Sequence, residues 1–347
     1  MLLILTSILF VGACKKNNDT PERKKYVWAV GSRDSTSYGM ILFSNDGGDN
    51  WVRQGEGSPD LKNIDINDVW AIDENTVWAV GTDNHLLKTT DGGQNWKKVP
   101  VPDVPDEVAL VSLSVVNKTN IWISGSSGIV CNSTDNGQSW TVYDTTFFQS
   151  GYLQGIWSIN PQVVYVAGGL FFNRNASGFI ARTRDGGTTW ETIVPPDNYN
   201  KNEWIGVKAT DEDNIVVYGG KAHYTHTTDG GKTWINDSVL AGGGGGAADI
   251  NCLTMLDKKT WWGAFDLENI YITYDTGNTW NQQPSAGGGN MFLVGIDAYD
   301  RNLALITGTG TGYIPEGKII KTNDGGNTWQ LKYFGKAGIW KVSFIKE

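Results

Sequence analysis

One short pattern recurs seven times along this chain, and it limits the available folds more than any other feature does. The pattern S/T-x-D-x-G-x-S/T/N-W occurs as SNDGGDNW from residue 44, TTDGGQNW from 89, STDNGQSW from 133, TRDGGTTW from 183, TTDGGKTW from 227, TYDTGNTW from 273 and TNDGGNTW from 322. Its aspartates are Asp46, Asp91, Asp135, Asp185, Asp229, Asp275 and Asp324, so successive copies stand 44 to 50 residues apart. That period is the length of four short strands with their turns, which predicts one propeller blade per copy. Length alone would divide 347 residues into two domains; the period makes them one closed structure.

A second motif keeps step with the first. Before each box comes an apolar run ending in small residues: YVWAVGS, TVWAVGT, NIWISGS, VVYVAGG, IVVYGG, TWWGAF and LALITGT. Before six of these lies another apolar segment, as in INDVWAID from 66 and LQGIWSIN from 153. Runs rich in β-branched and aromatic residues and bounded by Gly, Asn and Asp read as strands. The order within a blade is then A (the earlier segment), B (the VWAVG-like run), C (the run entering the box) and D (the run leaving it). The first repeat lacks a strand A, and the chain ends on IWKVSFIKE, residues 339–347, which has the strand A pattern and nothing after it. Placed before Tyr26, it completes the first blade and shuts the ring. The predicted fold is all-β, a seven-bladed β-propeller of four-stranded blades spanning 26–347, with no free sheet edge at the seam.

Each residue type in the box has a folding role. Asp accepts hydrogen bonds from backbone N–H groups a few residues on, Gly takes positive φ, Ser and Thr bond locally, and Trp offers a face to bury against the next sheet. Seven copies around a ring cannot line one site, so the box aspartates are expected to be structural. The boxes resemble the Asp-box (BNR) repeat of bacterial sialidases. The single ring with VWAVG and DGG-x-x-W segments is similar to the photosystem II assembly and stability factor family, which has many members outside photosynthesis. The resemblance covers about residues 26–347 and speaks for the fold more than for function, because one fold hosts unrelated activities.

The amino terminus carries a separate signal. MLLILTSILFVGAC contains an apolar run from Leu2 to Ala13, too short to span a bilayer and suited to a signal-peptide core. VGAC resembles a lipobox, so residues 1–13 are expected to be a lipoprotein signal peptide, Cys14 the acylated residue and 14–25 a polar tether. This places the ring in the cell envelope, lipid-anchored to a membrane surface such as the outer membrane.

Other chemistry is thinly represented. Cys131 and Cys252 fall on strands of different blades and read as buried thiols, with no disulfide framework and no metal pattern. His223 and His226 stand three apart on a strand and point to opposite faces. A formal net charge of -9 and a pI near 4.9 argue against general nucleic-acid binding. No phosphate loop, dinucleotide fingerprint or nucleophile elbow is present, and AGGGGGAA at 241–248 has no helix behind it to hold a phosphate. No cofactor and no metal are expected.

A binding face is expected where loops vary. In propellers the D-to-A and B-to-C loops share the face opposite the boxes. Long B-to-C loops are expected at 32–39, 170–178 and 307–317, with D-to-A loops at 145–152 and 195–204. They nominate Arg33, Phe147, Phe148, Tyr152, Phe171, Phe172, Arg174, Tyr199, Trp204 and Tyr313 as a contact surface, since exposed aromatics with an Arg are typical of one. The alternative is that part of the set plugs loop bases. A sialidase would need three clamping arginines and an R-I-P segment before the first box; the chain has seven arginines, only Arg33 and Arg174 fall in these loops, and the segment is absent. Glu203, Asp249 and Glu316 could serve an Asp-box glycosidase, which uses two carboxylates, yet nothing pairs them. The expected function is a non-catalytic envelope lipoprotein that binds a protein partner or assists assembly; the rival is a glycan-binding or glycan-cleaving protein.

Overall fold

The run Val27–Gly31 is buried along its whole length, as an apolar stretch of five residues must be when sheets pack on both of its faces. It pairs on one side with Met40–Ser44 and on the other with Ile339–Phe344, matching Val27 to Phe344 and Ala29 to Val342. The carboxyl-terminal segment is therefore strand A of the first blade, and the ring closes as the sequence predicts. The structure is a computed structural model describing residues 24–143, 146–148, 151–172, 175–193, 204–239, 249–285, 291–310 and 316–346. Among these residues the strands form seven antiparallel four-stranded sheets, each in the order A, B, C, D.

Burial falls from the axis outward. Strands B are the most buried, as in Val77–Gly81 and Ile215–Gly219, whereas the outermost strands are exposed or half-exposed, as in Glu191–Thr192 and Val52–Arg53. One apolar cluster fills each gap between neighbouring blades. At the seam, Val27, Ala29 and Leu42 of the first blade pack with Leu303, Leu305 and Ile319 of the last and with Ile339, Val342 and Phe344.

Each box tryptophan joins the cluster shared with the preceding blade, not the following one. Trp96 packs with Trp28 and Ile41, Trp329 with Trp262 and Ile306, and Trp190 stands beside Trp122 and Phe148. The sequence reading placed this burial against the next sheet. The chirality of the ring, which the repeat cannot encode, reverses it.

Strands A carry a shared irregularity. In all seven blades the A-to-B register slips by one residue near the start of strand A, for example between Ile66 and Asp68 and between Ile250 and Cys252. A β-bulge of this kind bends the strand and re-aims the residues after it, here toward the ring axis. In the first three blades the glycine ending strand B sits under the bulge, whereas Phe265 holds that place in the sixth. A Cβ on Gly81 would lie 2.3 Å from the Asp65 carbonyl oxygen, so close an approach that only glycine fits.

Two of the expected loops are partly strand. In the fourth blade Val164–Phe172 pairs with Asn175–Thr183 as far as Phe172 and Asn175, because LFF continues the strand-forming pattern of VYVAGG. In the seventh, Ala304–Gly310 and Gly317–Thr322 take up both ends of the 307–317 segment.

Candidate functional site

The box of the fifth blade shows what the seven aspartates do. Thr227 Oγ1 donates to Asp229 Oδ1 at 2.8 Å and accepts from the Gly231 N–H at 2.9 Å. Asp229 Oδ1 also accepts from the Thr233 N–H at 2.9 Å, and Oδ2 from Thr233 Oγ1 at 2.6 Å. Gly230 and Gly231, at φ +74° and +82°, make the turn that brings these groups together. The pattern repeats with Ser44, Asp46 and Asn50, with Ser133, Asp135 and Ser139, and in the other boxes. Each box turn also donates a backbone N–H to the carbonyl of a residue just ahead of strand B of its own blade, as Gly92 does to Asn75 and Gly230 to Asp213. Box turns and A-to-B turns thus share one face of the ring, and every box carboxylate is engaged in its own turn.

The nominated loop residues divide. Phe148 is fully buried and Trp204 is 1% exposed, so both belong to the core and not to a contact surface. Phe148 stands 5.1 Å from the Trp190 ring and 5.1 Å from Phe147, closing the cluster between the third and fourth blades; Trp204 fills the next gap with Val163 and Val217. Trp204 opens a strand A and Phe148 sits in the loop before one, and both are covered because two sheets converge there. Phe147 is partly buried against the same cluster, and burial raises the Tyr152 hydroxyl above its usual range. Arg33 braces its loop, donating to the Asn63 carbonyl at 2.8 Å with Asp65 beside it. Cys14, Arg174, Tyr199, Glu203 and Tyr313 lie outside the described residues, as do the side chains of Phe171 and Phe172. Asp249 accepts from the Lys221 N–H at 2.8 Å, and Glu316 is exposed beside strand C of the last blade.

Sequence reasoning missed the bore of the ring. Residues past each bulge line an axial cavity of about 430 Å³, to which all seven strands A contribute: Asp68 and Trp70, Ser112, Gly155 and Trp157, Lys208, Cys252, Asp297, and Lys341. It reaches the A-to-B turns at Asn117, Lys118 and Lys346, which is the box side, opposite the face the loops nominated. Trp70 and Trp157 meet with ring centroids 5.5 Å apart, and Lys208 Nζ lies 4.1 Å over the Trp157 ring. Asp68 accepts from Ser112 Oγ at 3.0 Å and the Leu113 N–H at 3.1 Å. Asp297 accepts from the Phe344 N–H at 2.9 Å and pairs with Lys346 at 2.6 Å.

Burial, with the Lys341 charge next, pulls the Lys208 ammonium down to about 8, while burial pushes the Cys252 thiol up to about 12, an inert group. The sequence holds the charges of the bore but not their convergence. Single charges interrupt otherwise apolar strands A in INDVWA, WIGVKA, FLVGIDA and IWKVSF.

A closed ring of four-stranded Asp-box blades with an axial cavity is the geometry against which known proteins can be compared. Residues 59–197 match the family described as photosynthesis system II assembly factor YCF48. The matched stretch runs from the strand A of the second blade through the box of the fourth, and the resemblance read from the boxes holds there. No curated protein matches the chain. Among solved structures, YCF48 from Cyanidioschyzon merolae is 16% identical over 77% of this chain and 84% of its own, with a TM-score of 0.59. A structure described as YCF48 bound to D1 peptide is 20% identical over 77% and 80%, with a TM-score of 0.58. The GH74 xyloglucanase of Xanthomonas campestris is 13% identical over 77% of this chain and 45% of its own, with a TM-score of 0.56. At these identities the likeness is one of fold.

Proposed function

We propose that this chain is a non-catalytic, protein-binding scaffold of the cell envelope, held to a membrane by lipid on Cys14, that assists the assembly or stability of a partner. The observation that carries this reading is the shared ring: the YCF48 assembly-factor family matches residues 59–197, and a YCF48 propeller of the same fold is described with a peptide bound. The engagement of all seven box carboxylates in turns supports it further, since the most repeated acidic groups are committed to folding.

Photo-crosslinking in cells, with probes at the box face and at the loop face, tests the scaffold. One defined envelope protein is expected to crosslink reproducibly from one face. Turnover of a fluorogenic glycoside, abolished by replacing Asp249 or Glu316, overturns the reading in favour of a glycosidase. The anchor has its own readout: Cys14→Ser is expected to move the protein from the membrane fraction to the soluble one.

A further inference from the structure

We infer that the bore of the ring is a binding site for a monoanionic carboxylate carried on a flat apolar body, entering from the box face. The proposal stands on the cavity and its charges, apart from the protein-binding reading.

The cavity has the volume of a small-molecule site, and its walls are seven strands that ring closure holds in place. Binding there requires little ordering of the protein. Its charges are unevenly satisfied. Both carboxylates are committed: Asp68 takes N–H and hydroxyl donors from Val69, Ser112 and Leu113, and Asp297 takes Ala298, Phe344 and Lys346. Among the described residues, Lys208 and Lys341 have no carboxylate within ion-pair distance; Lys208 lies over the face of Trp157, and Asp68 and Asp297 act on it only from farther off. The two lysines repel each other, and burial works against the charge of Lys208. Holding two like charges in a partly desolvated site is costly unless an anion offsets them.

The chemistry of that anion follows from the lining. With Lys118 paired to Asp73 at 2.8 Å, Lys208, Lys341 and Lys346 against Asp68 and Asp297 leave one net positive charge in the bore, which a single carboxylate neutralises and a phosphate dianion would overshoot. Trp70 and Trp157, side by side, offer a planar apolar surface next to the ammonium of Lys208. Lys118 and Lys346 at the A-to-B turns are each paired, with Asp73 and Asp297, so the unpaired positive charge lies on Lys208 and Lys341 inside the bore.

Tryptophan fluorescence and calorimetric titration of the full chain test this with benzoate, the neutral benzamide and inorganic phosphate. Benzoate is expected to bind saturably, with benzamide and phosphate at least tenfold weaker. Lys208→Met and Lys341→Met are each expected to weaken benzoate at least tenfold while the melting temperature without ligand shows the ring intact; Lys208→Gln replaces the first variant if that one does not fold. The groups facing Lys208 are Asp68, Trp157, Cys252, Asp297, Lys341 and Lys346, and its ammonium is lost between pH 7 and 9. Affinity is therefore expected to fall across that range, and to fall less in Lys208→Met.

A blocked tripeptide, acetyl-Gly-Gly-Phe, as free acid and as amide, separates the two sources of such a group. Binding of benzoate means free acids enter; binding of the peptide acid alone means the bore takes the end of a chain. Equal binding of benzoate and benzamide, no binding by either acid, or folded variants that bind as the parent does would overturn the proposal. A failed search for a protein partner would leave this outcome untouched.

Discussion

Asp46 illustrates how much a single carboxylate does in these turns. Burial raises its pKa, yet hydrogen bonds from Ser44, Asn50 and Asp49 outweigh that and hold it near 2. In Asp91, Asp135 and Asp229 the side chain four residues on is the largest cause, and these too sit near 2. A carboxylate with a depressed folded-state pKa stabilises fully above its unfolded value of about 4 and loses that contribution as pH falls toward 2. The urea midpoint is therefore expected to be level from pH 7 to 5 and to drop between pH 4 and 2. Asp46→Asn should lower it at pH 6 and make the acid drop shallower; an unchanged acid slope would mean the boxes do not set it. Asp46→Ala removes the local cap outright and should cost about 0.5–2 kcal/mol, the range for such a loss. This role was legible in the sequence because the box is local: all its donors and acceptors lie within a few residues of one another. The side chains that reach from one blade to the next box were not. Gln54 to the Gly92 carbonyl and Tyr143 to Gly186 reach from just after strand D, and Arg182 to Gly230 and Tyr224 to Gly277 from strand C, so no pattern marks them.

At the scale of elements, alternation and turn residues located the strands well, and the glycine closing runs such as VWAVG was visible without its reason. The reason is the bulge in strand A, which brings the Asp65 carbonyl within 2.3 Å of where a Gly81 Cβ would stand. Gly31 and Gly125 meet the Gly338 and Ala109 carbonyls in the same way. A bulge depends on how two strands are paired, so neither strand's own sequence announces it. Gly81→Ala is accordingly expected to push the second blade's strands A and B apart and lower stability by about 1–3 kcal/mol, the usual cost of overpacking. Denaturant unfolding measures this directly. A change within a few tenths of a kcal/mol would show that the bulge yields, and that glycine is there for another reason.

The whole molecule is where sequence reading both succeeded and stopped. Ring closure was legible because an unmatched strand A at 339–347 answered a missing one before Tyr26. The bore was not, because Asp68, Lys208, Asp297 and Lys341 lie as far as 273 residues apart, on strands that face one another only once the ring has shut. The same closure makes the last segment decisive for stability. Truncation after residue 338 removes Ile339, Val342 and Phe344, exposed by 0%, 7% and 2% in the intact ring, and burying each such side chain is worth about 1.5–3 kcal/mol. Their loss alone is comparable with the total stability of about 5–15 kcal/mol usual for a domain. It also strips the ladder from Val27–Gly31, leaving a flat, wholly apolar strand edge open to pairing with other chains. The truncated chain is thus expected to aggregate, or to elute without a cooperative melting transition. Supplying 339–347 as a separate peptide should restore part of the transition, since the open edge is the template it fits. A truncated chain that stays monomeric and melts cooperatively by calorimetry would mean that six complete blades hold the seventh without its inner strand.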